Sequence, residues 1–133
     1  MERSTQMSGH TLIIEPDSAL AQRFRETLER AGIAMDLVTT MADAIEAARR
    51  CHPDVIVLDS TLFDNAAVED QPYWSLKTNP HTFHVPIVVL AQQEQARAVG
   101  EEHSLLRYGD YTLLKNMFVP YTLFELLRFM EVA

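Results

Sequence analysis

The chain has 133 residues, 47% of them apolar and 23% charged, which suits one globular domain around one core. Eleven Lys and Arg against nineteen Asp and Glu leave a formal charge of −8, which argues against a non-specific nucleic-acid surface, because such a surface needs basic groups to displace phosphate counterions. No apolar run approaches the ~20 residues of a membrane span, and residues 1–10 hold no apolar signal core. The one cysteine, Cys51, rules out an internal disulfide. The expectation is a cytoplasmic protein with neither nucleic-acid nor membrane partners.

Residues 1–9 are polar and read as a disordered N-terminal tail, with one domain over 10–133. Thr11 to Ile14 is a compact apolar run that ends in Glu15-Pro16-Asp17, a strand terminating in carboxylates. Asp17 or Ser18 can cap the helix that follows. Leu20, Phe24, Leu28 and Ala31 recur in it at helical spacing, and Gly32 is placed to end it in the left-handed conformation. Ile33 to Val38 is a short strand. Thr39 or Thr40 can cap a second helix, which carries Arg49 and Arg50 near its negative end and stops at Pro53, with Cys51 just past it.

Val55-Ile56-Val57-Leu58 follows, an apolar run that ends on Asp59. Such a run reads as a strand buried on both faces, at the centre of a parallel sheet. Thr61 to Asp70 is a loop without glycine. Tyr73, Trp74 and Leu76 suggest a short helix with Pro72 near its first turn, broken by Asn79-Pro80. Val85 to Ala91 is another buried strand, with Pro86 at its entry. Residues 92–107 form a polar helix, Tyr111 to Leu114 a fifth strand before Lys115, and Val119 to Val132 a last helix with Pro120 in its first turn.

Strand and helix thus alternate five times. That order predicts an α/β fold: a doubly wound five-stranded parallel sheet with helices on both faces. Parallel strands bring their C-terminal ends to one edge, where ligands collect in open α/β sheets. Glu15, Asp17, Asp59 and Lys115 converge there. Close carboxylates repel one another unless a cation sits among them, and hard oxygens suit Mg²⁺. A carboxylate beside a metal and a lysine can act as a nucleophile toward a phosphoryl group. The same pair can equally be a structural salt bridge, and Asp59 can cap the turn that follows it.

In order and spacing, the segments Leu12 to Asp17, Pro53 to Asp59, Asn79 to Leu90 and Leu113 to Lys115 resemble the receiver domain of bacterial response regulators over about residues 10–133. The resemblance implies the flavodoxin-like receiver fold, with Asp59 as phosphoacceptor and Lys115 paired with the phosphoryl group. It further implies a Mg²⁺ site made by Glu15, Asp59 and the backbone carbonyl of Thr61. A histidine kinase or phosphotransfer protein would be the donor, and a downstream protein the receiver of the signal. Catalysis would extend at most to assisting the chain's own phosphoryl transfer and dephosphorylation. A homodimer would form through the face made by the fourth helix, fifth strand and fifth helix.

The departures are specific. The second acid of the family's adjacent pair is Pro16 here, and Asp17, one residue on, either substitutes through a water or caps the helix. The hydroxyl residue that ends the fourth strand is Ala91, the aromatic residue three before the lysine is Thr112, and the proline after the lysine is Asn116. The alternative reading is therefore a pseudo-receiver, an interaction module that works without phosphorylation. An enzyme acting on a small phosphorylated substrate is a more distant option, without a glycine-rich phosphate loop. His81 and His84 lack the further ligands of a zinc set. Ser60, His84 and Asp110 lack the nucleophile turn of a hydrolase. Tyr108, Tyr111 and Phe118 read as core or as interface.

Overall fold

The computed structural model of the chain describes residues 9–63, 72–91 and 111–131. Most of the tail read over 1–9, most of the loop 61–70, the helix expected over 92–107, and Tyr108, Asp110 and Val132 lie outside the described residues. Five strands, β1 (His10–Ile14), β2 (Ala34–Val38), β3 (Val55–Asp59), β4 (Ile87–Ala91) and β5 (Tyr111–Leu114), pair in the order β2-β1-β3-β4-β5, all parallel. β1 and β3 are adjacent although β2 lies between them in sequence, so the winding direction reverses there. The crevice at such a reversal opens at the C-terminal ends of the strands.

Every residue of β3 and of β4 is buried, because both faces are covered. On one face Leu12, Ile14, Ile56, Leu58, Ile87 and Val89 meet α2 (Met41–Cys51) and α3 (Pro72–Lys77) through Ala44, Ala47, Ala48 and Leu76. On the other, Ile13, Val55, Val57, Val88 and Leu90 meet α1 (Ser18–Arg30) and the C-terminal helix (Val119–Phe129) through Phe24, Leu28, Leu123 and Leu127. Alternate residues of one strand therefore serve two cores. Each fully buried aliphatic side chain contributes about 1.5–3 kcal/mol, so β3 and β4 anchor the edge on which the polar groups stand.

The helix ends follow local chemistry. Asp17 caps α1, its Oδ1 accepting from the Ala19 and Leu20 N–H groups at 2.9 and 3.2 Å. At the other end Gly32 takes φ +79°. Its N–H donates to the Glu29 carbonyl at 2.9 Å and that of Ile33 to the Leu28 carbonyl at 3.0 Å, and Ile33 and Leu28 share one core. This is the paired closure that a left-handed glycine permits. Thr40, not Thr39, caps α2 through the Asp43 N–H at 3.1 Å.

Several boundaries differ from the sequence expectation. α2 includes Cys51 and ends on His52 in the left-handed region (φ 51°), one residue before the proline expected to stop it. Ile33 belongs to the closure of α1, so β2 starts at Ala34. A 3₁₀ turn, Ser60–Phe63, takes up the start of the loop expected over 61–70. Val85 N–H donates to the Thr82 carbonyl at 3.0 Å, within a turn, so β4 starts at Ile87. The last helix ends at Phe129, and Glu131 follows at φ 64°. No helix among the described residues is long and apolar enough to cross a membrane.

Candidate functional site

Glu15 directly follows β1, and its N–H donates to the Val38 carbonyl at 2.9 Å, holding it in line with the sheet. Its side chain is fully buried. Oε2 accepts from the Asp17 N–H at 3.1 Å, while Oε1 is buried without a hydrogen-bond partner. Asp59 ends β3, also at 0% exposure. Its Oδ1 accepts from the Thr61 N–H at 2.8 Å and from Thr61 Oγ1 at 2.9 Å. Lys115 follows β5, its N–H donating to the Ala91 carbonyl at 2.8 Å. That bond sets the lysine back toward the centre of the sheet, and its Nζ lies 2.6 Å from Asp59 Oδ2. The contact is ionic, since Oδ2 has no aligned hydrogen bond.

Three strand ends thus bring Glu15, Asp59 and Lys115 together, with Thr61 added by the turn after β3. Burial pushes the Glu15 carboxyl up to about 8, and the neighbouring Asp59 carboxylate adds to the rise. Burial also works to raise Asp59. The neighbouring Glu15 carboxyl, the Lys115 ammonium and the Thr61 N–H outweigh it, so Asp59 is lowered overall. One proton shared by two close carboxyls therefore sits on Glu15, and Asp59 is the ionised member. An ionised carboxylate beside a lysine is the form in which it can attack phosphorus.

Asp17 joins this cluster through its backbone N–H, which bonds Glu15. It is exposed, and the Oδ1 that caps α1 is already engaged. Pro16 is exposed beside it. Ala91 is fully buried and packs into the α2–α3 core, and Thr112 is exposed opposite Val89. His81 is half-buried, and His84 is exposed with its ring edge-on to Phe83 at 5.2 Å. Tyr111 packs against the core beneath α1 and the C-terminal helix, whereas Phe118 is exposed. The sequence reading missed the Thr61 hydroxyl and N–H as donors to Asp59. A hydroxyl residue two positions after a strand-end acid was the available signal, since such side chains turn back on the local backbone.

Glu15 Oε1 and Asp59 Oδ2 are buried without a hydrogen bond, and hard oxygens of this kind suit a hard cation. One or two carboxylates with waters suffice for Mg²⁺, so the donor set fits that ion, although Pro16 supplies nothing to it.

No protein-family model matches the chain. It is 24% identical over 103 residues to the polar-differentiation response regulator DivK of Brucella ovis, covering 77% of this chain and 79% of that protein. Its structure is similar to the signal receiver domain of a signal transduction histidine kinase from Syntrophus aciditrophicus, with a TM-score of 0.72, 20% identity, and coverage of 94% of this chain and 90% of that one. It is also similar to the receiver domain of a sensor histidine kinase from Pseudomonas aeruginosa PAO1, with a TM-score of 0.72, 19% identity, and coverage of 95% and 99%. That structure holds a magnesium ion coordinated in its active-site cleft. The chain has the receiver-domain fold of response regulators.

Proposed function

We propose that the chain is a receiver module of two-component signalling that accepts a phosphoryl group on Asp59. The observation that carries this reading is the buried Asp59 carboxyl with Lys115 Nζ 2.6 Å from its Oδ2, at the reversal point of the sheet. A carboxylate oxygen of Asp59 attacks the phosphorus of a phosphohistidine on a kinase or phosphotransfer protein. The P–N bond breaks, its electron pair stays on the imidazole, and an acyl-phosphate forms on Asp59. Lys115 follows the negative charge onto the new phosphoryl oxygens. Glu15, Asp59 and the Thr61 carbonyl would hold Mg²⁺, which when bound neutralises phosphoryl charge. Loss of the proton on Glu15 prepares that site. Signal then leaves by contact with a downstream protein in the cytoplasm.

The test uses acetyl phosphate and Mg²⁺ with intact-mass analysis. The expected result is a single phosphoryl adduct, removed by hydroxylamine and absent from Asp59→Asn. No adduct at any Mg²⁺ concentration overturns the reading. A second reading, a pseudo-receiver whose partner binding needs no phosphate, draws support from Ala91 and Thr112. Ala91 lacks the hydroxyl, and Thr112 the aromatic ring, through which receivers couple phosphate to shape, and Ala91 is packed in the core. Undiminished partner binding by Asp59→Asn would favour it.

A further inference from the structure

At the opposite end of the sheet, three side chains from three elements meet: His10 at the start of β1, Asp36 in the middle of β2 and Cys51 at the end of α2. Their ligating atoms all lie within 4.8 Å of one another, and His10 Nε2 is 3.0 Å from Asp36 Oδ2. We propose that His10, Asp36 and Cys51 form a binding site for a borderline-soft divalent cation, Zn²⁺ in the first place, distinct from the carboxylate edge.

The choice of cation follows from the donors. One imidazole, one thiolate and one carboxylate together match Zn²⁺ and do not match Mg²⁺ or Ca²⁺, which take oxygen. Three protein ligands leave a fourth tetrahedral position for water or an exogenous ligand. Bonds of about 2.0–2.3 Å to such ligands place the donor atoms somewhat closer together than 4.8 Å, a contraction within reach of half-buried side chains.

The backbone around the site is already fixed. His10 N–H donates to Asp54 Oδ2 and the Asp54 N–H donates to the His10 carbonyl, both at 2.8 Å. A Cβ on Gly9 would come within 2.6 Å of Asp54 Oδ2, so a larger residue there would have to move that carboxylate. Asp36 pairs in register with Leu12, whose side chain enters the α2–α3 core. The acid and His10 thus occupy the sheet face that is otherwise aliphatic. The bland account of Asp36 is an inward-pointing charge that protects the edge strand β2 from pairing with another chain. That account does not require His10 and Cys51 to converge on the same carboxylate.

Burial and the hydrogen bond to Asp36 push the Cys51 thiol up to about 11. Without metal it is therefore a protonated thiol and not a nucleophile. Binding would form a Zn–S bond, break the S–H bond and release that proton to the buffer. His10 and Glu15 are five strand residues apart, roughly 16 Å along β1, so filling this site leaves the carboxylate edge untouched.

The test is titration of the reduced 133-residue chain with Co²⁺, followed by displacement with Zn²⁺. Cys51 is the only cysteine in the sequence, so a sulfur-to-cobalt charge-transfer band reports this site alone. The expected result is that band, saturating at one equivalent of thiolate-bound Co²⁺ and bleached by Zn²⁺. The expected variant effect is a loss of affinity of about 100-fold or more in Cys51→Ser and in His10→Ala, beyond what outer-shell changes cause at such sites, with Asp59→Asn unchanged. No band at saturating Co²⁺, or a band lost in Asp59→Asn, would overturn the proposal. Because the band is read on the unmodified chain, misfolding of a variant does not decide the outcome.

Discussion

Replacing Glu15 by glutamine should flatten the dependence of stability on pH. In the folded chain the Glu15 carboxyl titrates at about 8 instead of 4.5, first because it is buried and then because Asp59 lies beside it. Between those values the folded state holds a proton that the unfolded state has released, so stability falls as pH rises through the window and levels off above about 8. The window spans roughly three and a half pH units, each worth about 1.4 kcal/mol, so the fall is on the order of 2–5 kcal/mol once some entry of water is allowed for. The amide of the Glu15→Gln variant would keep a donor toward Asp59 at every pH and lack this fall. The assay is urea unfolding at about pH 5.5, 7 and 8.5 without divalent cations, which brackets the window. The variant should gain on the parent as pH rises and be the more stable at the highest pH. Equal slopes for the two proteins would refute the placement of the shared proton on Glu15.

Further outcomes follow from the same geometry. Mg²⁺ affinity should fall about tenfold for each pH unit below about 8, because the ion displaces the Glu15 proton; calorimetry at three pH values reads this, and a pH-independent affinity would contradict it. Lys115→Met leaves the buried Asp59 charge without its cation and should cost about 3 kcal/mol in chemical unfolding, while Asp59→Asn in that background should recover much of the loss. Asp17→Ala removes two cap bonds and should lower stability by about 1 kcal/mol. It should leave Mg²⁺ affinity within about twofold if Asp17 serves only as a cap, and a large loss of affinity would instead make it a ligand.

What could be read in the sequence was whatever depended on short-range pattern or on topology. β3 and β4 are unbroken aliphatic runs, and complete burial of both faces is the only setting that suits them. Once the strands are parallel, Asp59 and Lys115 must share an edge, however far apart in the chain they are. Depth of burial was not legible, so the proton on Glu15 was invisible. The role of Asp17 stayed open because alternation along a strand says which way a side chain leaves, not which N–H groups wait for it. His10, Asp36 and Cys51 are separated by 26 and 15 positions without motif spacing, and they meet only because β2 pairs with β1 in one particular register. The turn after β3 looked like plain loop because Thr61 bonds back to Asp59 through a contact that periodicity does not encode.

The central claim is that Asp59 accepts the phosphoryl group. Borohydride reduction after treatment with acetyl phosphate and Mg²⁺ converts an aspartyl phosphate to homoserine, which tandem mass spectrometry places by residue. Homoserine at position 59, and its absence in Lys115→Ala treated alike, is the predicted result. Unreduced aspartate at 59 in every sample, or a label at another acid, would contradict the account.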